Sequence, residues 1–282
     1  GLCASCWGEL AIPGEPCCTA CQRPFPDGMA ANSLCAPCLA DPPRHDGVAA
    51  GTLYNEASRK LVLAFKHGHR IAMAPMLARL IAARLPAETM AFADIEPGDR
   101  VADFIPFAGY WTRMFAVAVG DSGRVFPVIR PEASAQNWES EILGPATAYA
   151  NVTVVRTPFT EMMFPESLDV FFTAQNYHDF YVGGHNFGDV SEINRAIFRA
   201  LKPGGRYIII DHAARDGSGL EDVRLHRIDQ AQVRREVEAA GFVFDGESQM
   251  LRNSSDPRTI SVFNATVRGH TDQFVMRFRK PG

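Results

Sequence analysis

The pattern of apolar and polar residues changes at about residue 88. Beyond that point, short apolar runs alternate with segments whose apolar residues recur every three or four positions. The short runs predict strands, and the longer periodicity predicts helices. Strands are predicted at 100–105, 124–129, 152–155, 168–173, 206–211, 242–248 and 273–279, and helices at 110–119, 133–143, 191–201 and 230–240. This alternation predicts a doubly wound parallel α/β sheet, closed by a hairpin of the last two strands.

The stretch from Val101 to Arg113 is the best candidate for a ligand site. A short apolar strand leads into a turn that contains Pro106 and Gly109, and a helix pattern begins at Tyr110. A strand, a tight turn and a helix form the first unit of a nucleotide-binding sheet. The amide groups at the start of such a helix face the ligand.

The part before residue 88 is rich in cysteine, and all seven cysteines lie in the first 38 residues. Two Cys-x2-Cys pairs about a dozen residues apart are typical of one tetrahedral zinc site, and disulfides are the less favoured alternative. The predicted ligands are Cys18, Cys21, Cys35 and Cys38. Cys3 and Cys6 form half of a second site, and Cys17 is either a free thiol or a substitute ligand.

Residues 48–87 predict a short strand at 51–54, helices at 58–67 and 72–84, and a boundary at Pro86. We therefore expect a zinc ribbon over 1–47, a helical segment with a linker over 48–87, and the α/β domain over 88–282. A basic cluster is either a solvated helix face, which is favoured, or a site for phosphate or nucleic acid. Its members are Arg59, Lys60, Lys66, His67, His69 and Arg70.

Composition excludes some classes of function. The net charge is -4 and the pI is about 6.1, so the whole chain makes no electrostatic case for nucleic acid or for a bilayer. The sequence contains no run of 18 apolar residues, and we predict no transmembrane segment and no membrane partner. A signal peptide is not visible.

The N-terminal part resembles the ComF family of competence-associated proteins, which carry a zinc ribbon ahead of a phosphoribosyltransferase domain. The resemblance covers residues 1 to about 85 and rests on Cys18-Thr-Ala-Cys21-Gln-Arg-Pro-Phe-Pro, Leu34-Cys-Ala-Pro-Cys38 and the segment from Tyr54 to Arg70. In that family a further Cys pair, absent here, completes the ribbon of Cys3 and Cys6. The paired acids and Thr/Gly loop of the transferase are also absent, so we expect no phosphoribosyltransferase activity.

Residues 88–282 resemble class I S-adenosylmethionine-dependent methyltransferases, whose Rossmann-like sheet has seven strands. Leu201-Lys-Pro-Gly-Gly205 is a frequent marker of that fold. A narrower resemblance, to a group of bacterial predicted methyltransferases, rests on Gln175-Asn-Tyr-His-Asp179, Asp211-His-Ala-Ala214 and Leu225-His-Arg-Ile-Asp229.

The resemblance implies a cofactor site around the first turn. Asp103 and the turn through Gly109 would border the methionine part of S-adenosylmethionine, and an acid after the second strand would bind the ribose hydroxyls. Phe107 and Ala108 stand where the family has small residues, and Arg130 stands near the place of the acid, which leaves Glu132 as the candidate. The expected cofactor-binding residues are Asp103, Pro106, Gly109, Tyr110, Glu132 and Asn176.

The segment after the fourth strand would face the substrate at the carboxyl edge of the sheet. His178 or Asp179 is a candidate general base, and the alternative is that both only form hydrogen bonds with neighbouring loops. Asp211 and His212 would face the same cleft, and His226 and Asp229 are candidates to join it. Asn253, His270 and Asp272 are weaker candidates, because loops of this composition are usually turns and caps.

The sequence thus predicts S-adenosylmethionine-dependent methyl transfer to a small-molecule or protein acceptor in a bacterial, cytoplasmic protein. The alternative is a non-catalytic scaffold whose zinc ribbon binds a protein or, as the less favoured option, nucleic acid; Phe107 favours this alternative. A third hypothesis is a fusion without joint function. Self-association or a protein partner through the N-terminal module is also expected, because the truncated ComF-like part leaves apolar surface to cover.

Overall fold

The computed structural model describes residues 8–11, 18, 23–25, 33–41, 52–66, 87–107, 109–131, 149–183, 187–269 and 271–282. The chain divides into two compact units, Gly1–Ala87 and Glu88–Gly282. The helices are α1 (Ala36–Ala40), α2 (Glu56–Lys66), α3 (Ala87–Ala93), α4 (Tyr110–Val119), α5 (Val190–Ala200) and α6 (Gln230–Ala239). The strands are β1 (Arg100–Phe104), β2 (Arg124–Ile129), β3 (Val155–Arg156), β4 (Leu168–Ala174), β5 (Leu201–His212), β6 (Val243–Ser248) and β7 (Gln273–Arg279).

The second unit contains one seven-stranded sheet with the order β3-β2-β1-β4-β5-β7-β6. Strands β1 to β5 are parallel to one another, and β7 is antiparallel to both β5 and β6. This arrangement confirms the predicted α/β sheet and its closing antiparallel pair. The chain runs outward from β1 to β3 on one side and then returns to β4 on the other side of β1.

Both faces of the sheet are buried, and alternate residues of each strand point to opposite faces. Ala102, Phe104 and Ile209 pack on the face covered by α5 and α6. Val101 and Ile208 pack on the face covered by α3 and α4. Burial on both faces explains why the strands have continuous apolar runs.

Two strand boundaries differ from prediction by more than one residue. The third strand was predicted at 152–155, but β3 contains only Val155 and Arg156, and Val152 forms a separate bridge to Val125. Among the described residues, β3 lies at the edge of the sheet and pairs only with β2.

The fifth strand begins at Leu201 and not at 206, because Leu201 pairs with Leu168 ahead of a register shift. A Cβ atom at Gly205 would lie 2.9 Å from the Lys202 carbonyl oxygen and 3.2 Å from that of Leu168, so this close approach requires glycine. The pattern also missed α3. The predicted helix at 133–143 lies outside the described residues.

In the first unit, the predicted strand at 51–54 is wrong for residues 52–54, which are irregular. Asn55 and Ser58 explain the difference: each side-chain oxygen accepts the other residue's backbone N–H at 2.8 Å. This reciprocal cap starts α2 at Glu56, two residues before the predicted start. The residues just before the cap connect to the helix and do not form a strand. The predicted helix at 72–84 lies outside the described residues.

The basic cluster is described only in part. Arg59 and Lys60 are exposed and lie 3.7 Å and 3.6 Å from the carboxylate of Glu56. These two residues therefore form a solvated, ion-paired helix face, as the favoured interpretation expected. His67, His69 and Arg70 lie outside the described residues.

Each helix in the described ranges is too short or too polar to cross a lipid bilayer.

Candidate functional site

Asp103 lies near the end of β1 and is 2% exposed. Its carboxylate accepts a hydrogen bond from the hydroxyl of Thr112 on α4 at 2.5 Å. Burial raises the pKa of Asp103 to about 7, although the hydrogen bonds from Thr112 favour the ionised form. An acid in this position responds strongly to a nearby cation.

The turn after Asp103 takes the backbone shape that glycine usually supplies. Ile105 has φ +53°, Phe107 has φ +43° and Gly109 has φ +64°. The N–H of Gly109 donates to the carbonyl of Pro106 at 2.7 Å and closes the turn immediately before α4. Positive φ is unfavourable for the two bulky residues, at a cost of about 1 kcal/mol or more each. Pro106 is buried, whereas the side chains of Phe107 and Tyr110 are both 45% exposed.

Asn176 connects the segment after β4 to the end of β1. Its amide nitrogen donates to the carbonyls of Phe104 at 3.0 Å and Ile105 at 3.3 Å. The residue is 1% exposed, and its side-chain oxygen is buried without a hydrogen-bond partner among the described residues. A buried amide oxygen normally has a partner, since leaving it without one costs about 1–3 kcal/mol.

The position of Asn176 coincides with the topological switch point of the sheet. The chain moves away from β1 in one direction and resumes at β4 in the other, so the connections leave a crevice at the carboxyl ends of these two strands. Open α/β sheets bind their ligands in such a crevice. Asp103 and Asn176 therefore lie where the topology favours a ligand.

A second polar cluster surrounds His178, which is 2% exposed in the turn after β4. His178 Nδ1 lies 2.7 Å from Asp211 Oδ1, and Nε2 lies 3.0 Å from His226 Nδ1 and 3.2 Å from Asp179 Oδ1. The structure thus brings both candidate catalytic residues, His178 and Asp179, together with Asp211 at the end of β5 and His226.

The charge state of His178 follows from its neighbours. Burial disfavours the imidazolium, but the carboxylates of Asp211 and Asp179 outweigh burial and raise the pKa of His178 to about 10. Burial also disfavours the carboxylate of Asp211, but His178 reverses that effect and lowers the pKa of Asp211. His178 is therefore in its positively charged imidazolium form at neutral pH.

The turn that carries these residues is fixed by Tyr177. Its hydroxyl donates to Glu236 of α6 at 3.0 Å and accepts from Asn194 of α5 at 2.8 Å. Tyr181 also bonds to Glu236. Two helices on one face of the sheet thereby hold the segment 175–181.

Other candidates from the sequence have structural roles. Asp229 caps α6 by accepting the N–H of Ala231 at 2.9 Å. Asp272 is buried beside Arg258 and Arg252 at 2.6 Å and 3.4 Å. Asn253 accepts the N–H of Ser255 in a turn, at 3.1 Å.

Two further candidates, Glu132 and His270, lie outside the described residues. Arg130, at the end of β2, stacks over the ring of Phe187 at 4.9 Å. His212 is partly buried beside Thr271, with its Nδ1 2.8 Å from the threonine hydroxyl oxygen. Burial lowers the pKa of His212 to about 4 despite the nearby Asp211, so this histidine is neutral.

The N-terminal unit brings three of the four predicted zinc ligands together. The sulfur atoms of Cys18, Cys35 and Cys38 lie within 4.8 Å of one another, and all three residues are buried. The backbone N–H of Cys35 donates to Cys18 Sγ at 3.3 Å. Cys21 lies outside the described residues.

Sequence reasoning gave no role to Thr112 and Tyr177, and only a loose one to His226. Thr112 is nine residues from Asp103, and its position on the first turns of α4 was the available signal. His226 is 48 residues from His178, and no local pattern connects them. Tyr177 was visible in the motif, but its partners on α5 and α6 were not.

Comparison with known proteins gives a partial match to one curated relative. The chain is 28% identical over 124 residues to the ubiquinone/menaquinone biosynthesis C-methyltransferase UbiE of Ectopseudomonas mendocina (strain ymp), a match that covers 44% of this chain and 45% of that protein. The chain thus spans less than half of the length of this relative. No profile of a known protein family matches the chain, and the ComF resemblance stays a prediction.

Solved structures give fold-level likenesses only. A methyltransferase from Aquifex aeolicus is 17% identical to this chain, with a TM-score of 0.49. The match covers 75% of this chain and 97% of that protein. The N-methyltransferase NodS from Bradyrhizobium japonicum WM9 is 14% identical with a TM-score of 0.48, and covers 71% and 97%. In part of its sequence the chain is thus similar to a C-methyltransferase, and its second unit contains a seven-stranded α/β sheet.

Proposed function

We propose that residues 88–282 bind S-adenosylmethionine at the switch point and transfer its methyl group to an acceptor at the carboxyl edge of the sheet. The observation that carries the proposal is the polar pair at the ends of β1 and β4: the buried carboxylate of Asp103, and the amide oxygen of Asn176, which has no partner in the described part of the chain. The partial similarity to a C-methyltransferase supports the same activity.

The residues of the crevice fit this cofactor chemically. Asp103 offers a carboxylate to the positively charged methionine end, and Asn176 offers a hydrogen-bond acceptor. Pro106 and Gly109 shape the turn that brings amide groups at the start of α4 toward the ligand, and Tyr110 flanks it with an exposed ring. Glu132 is proposed to bind the ribose hydroxyls.

Methyl transfer needs few groups from the protein, because the sulfonium already activates the carbon. Bound S-adenosylmethionine would supply a methyl group with its own sulfur as the leaving group, and an acceptor hydroxyl or amine would lose a proton to the protein. We assign proton acceptance to Asp179. His178 is held by Asp211 and lies 3.2 Å from the carboxylate of Asp179, and its role is to position that carboxylate for the acceptor.

Calorimetric titration of the full chain with S-adenosylmethionine and S-adenosylhomocysteine tests the proposal. We expect micromolar binding to the wild type, and at least about tenfold weaker S-adenosylmethionine binding for Asp103→Asn, which keeps the shape of the side chain and loses its charge. Asp216→Asn is the matched control, because Asp216 is 93% exposed and far from the crevice in sequence.

The absence of binding at millimolar cofactor, in a chain shown to be folded, would refute the methyltransferase proposal. That outcome would favour the alternative, a scaffold in which the bulk of Phe107 replaces the small residues of a cofactor-binding turn.

We further propose that Cys18, Cys21, Cys35 and Cys38 hold one zinc ion. Three sulfur atoms within 4.8 Å of one another, with a backbone N–H directed at one of them, suit tetrahedral thiolate coordination. Such an ion would stabilise a small N-terminal module, for which we propose a protein partner or self-association.

A further inference from the structure

Three donor atoms in the second unit point at one another, in the cluster around His178. His178 Nε2 lies 3.0 Å from His226 Nδ1 and 3.2 Å from Asp179 Oδ1, and His226 Nδ1 lies 3.3 Å from the same Asp179 Oδ1. The three atoms therefore form a nearly equilateral triangle. They come from a turn after β4 and from a loop 48 residues later, so the sequence does not bring them together.

The sides of this triangle match the spacing of ligands around a metal ion. Donors at about 2.1 Å from a metal are about 3.0 Å apart at octahedral angles and about 3.4 Å apart at tetrahedral angles. The three measured separations, 3.0, 3.2 and 3.3 Å, lie between these values.

Hydrogen bonds alone do not satisfy the triangle. His178 Nδ1 is engaged by Asp211, so Nε2 presents either one proton or one lone pair to its two neighbours. His226 Nδ1 needs a proton to donate to Asp179. That proton would face the proton on His178 Nε2, and the two would repel each other. Asp179 Oδ1 is buried and accepts no well-aligned hydrogen bond among the described residues. A cation would use a lone pair from each of the three atoms at once.

We propose that His178, Asp179 and His226 bind a divalent first-row transition-metal ion. Two imidazole nitrogens and one carboxylate oxygen suit iron, cobalt, nickel or zinc, whereas magnesium and calcium prefer oxygen ligands only. Three protein ligands leave coordination positions for water or for an oxygen atom of a substrate.

The surroundings of the triangle have the features of a metal site's outer shell. Both oxygens of Asp211 hold residue 178, one through Nδ1 at 2.7 Å and the other through the backbone N–H at 2.9 Å. A carboxylate on the far nitrogen of a ligating histidine fixes its tautomer and increases its basicity. The ring of Phe263 packs edge-on against His226 at 4.8 Å, and the side chain of His226 is 26% exposed, which gives an ion a path from solvent.

The role of the ion in catalysis, unlike its binding, rests on the proposed function. A hydroxyl group bound to a divalent ion releases its proton more readily. Asp179 would ligate through Oδ1 and keep its second oxygen to accept that proton. Metal binding and methyl transfer are measured separately, so each proposal fails on its own evidence.

The test is equilibrium dialysis of the full chain against cobalt(II), with metal analysis and absorption spectroscopy. We expect one cobalt ion per chain that shows ligand-field bands without a thiolate-to-cobalt charge-transfer band, because this site contains no sulfur. Cobalt at the N-terminal cysteines would show that charge-transfer band, so the two sites are distinguished in one spectrum.

Variants locate the ion. His226→Gln and Asp179→Asn each remove one donor, and we expect each to weaken cobalt binding at least about tenfold. Asp216→Asn, at an exposed acid outside the cluster, should bind cobalt as the wild type does. Circular dichroism establishes that each variant is folded, and two independent variants guard against a loss that reflects misfolding of one of them.

The proposal is overturned if the folded wild type binds no cobalt, or if all the cobalt that it binds is accounted for by thiolate-to-cobalt absorption. It is equally overturned if folded His226→Gln and Asp179→Asn bind cobalt as tightly as the wild type. S-adenosylmethionine binding does not enter this test, and the methyltransferase proposal stands or falls with the calorimetric titration.

Discussion

The pKa of Asp103 depends both on its place in β1 and on its burial. The strand places its side chain on the face covered by α4, where Thr112 supplies a hydrogen bond and water is excluded. Burial favours the protonated acid more than the hydrogen bond favours the carboxylate, and the pKa rises to about 7. The group is thus poised to change its charge near neutral pH, and a cationic ligand would draw it toward the ionised form.

Titration of Asp103 should make the free energy of unfolding fall as the pH rises. Its folded-state pKa lies above its unfolded value, so the folded state binds more protons between about pH 4 and pH 7 and loses stability as the pH rises through that range. In Asp103→Asn we expect this loss to be absent. The free energy of unfolding of the variant, relative to wild type, should therefore rise by up to about 4 kcal/mol from pH 4 to pH 8.

Urea unfolding of both proteins across this pH range provides the measurement. A constant difference between them at every pH would show that Asp103 does not titrate in this window. Asp216→Asn is the control, because an exposed acid should give a difference that barely changes with pH.

At the scale of elements, the segment after β4 is held by its neighbours more than by its own conformation. Gln175 has φ +60°, and a single short turn carries both Asn176 and His178. Tyr177 anchors this turn to α5 and α6, while Asn176 anchors it to the end of β1. Helices and strands of the scaffold therefore set the positions of the site residues.

Removing the Tyr177 hydroxyl should loosen this anchor. In Tyr177→Phe the amide of Asn194 and the carboxylate of Glu236 lose a buried partner, and we expect a loss of about 1–3 kcal/mol in the free energy of unfolding. Tyr181→Phe is the matched control: it removes a bond to the same glutamate from a less buried residue, and the loss should be smaller. Equal losses in chemical denaturation would argue against Tyr177 as the principal anchor.

The long connection between β6 and β7 is tied to the sheet by a buried ion pair. Arg227 and Asp256 form two hydrogen bonds, at 2.8 Å and 3.0 Å, and both side chains are fully buried. Arg227 also donates to the carbonyls of Ala213 and Ile260. Because His226 precedes Arg227, this pair also fixes the backbone beside the proposed metal ligand.

Breaking the pair from one side leaves a buried charge without its counterion. We expect Asp256→Asn to cost about 3–5 kcal/mol in the free energy of unfolding. Asp216→Asn, which breaks an exposed pair with Arg258, should cost less than about 1 kcal/mol. Denaturation curves of the two variants measured side by side decide the matter, and similar costs would contradict the buried-pair argument.

At the scale of the whole molecule, the chain consists of two units with separate sources of stability. The second unit has two apolar layers, one on each face of a seven-stranded sheet. In the described part of the first unit, one buried cluster comprises three cysteines with Phe25 packed against them, and Leu10 and Leu61 are also buried. A metal ion that binds such a cluster of thiolates contributes its binding free energy to the folding of the unit around it.

Losing the proposed zinc ligand Cys38 should therefore affect one unit only. In Cys38→Ser we expect the zinc content to fall by one ion per chain, and the thermal transition of the second unit to stay within a few degrees of wild type. Cys17→Ser should keep its zinc if Cys17 is not a ligand. Metal analysis and scanning calorimetry make the comparison, and an unchanged zinc content in Cys38→Ser would refute the proposed site.

The sequence was most informative about the strands that are buried on both faces of the sheet. The alternation of Val101, Phe126 and Tyr207 with helical segments predicted the parallel sheet, because strands buried on both faces must be apolar throughout. It was least informative about where strands begin and end: β3 has only two residues, and β5 begins five residues before its predicted start. Edge pairing and the contact of Gly205 with Lys202 and Leu168 depend on neighbours distant in the chain.

The sequence by itself determined the order of the strands, the strand–turn–helix unit that begins at Val101, and the grouping of Cys18 with Cys35 and Cys38, because each follows from residue types and their spacing along the chain. Tertiary structure alone decided the partners of Asn176, the charge of His178 and the approach of His226. Those properties arise where segments far apart in sequence meet at the carboxyl edge of the sheet, and hydrogen bonding and desolvation there depend on distances that no local pattern encodes.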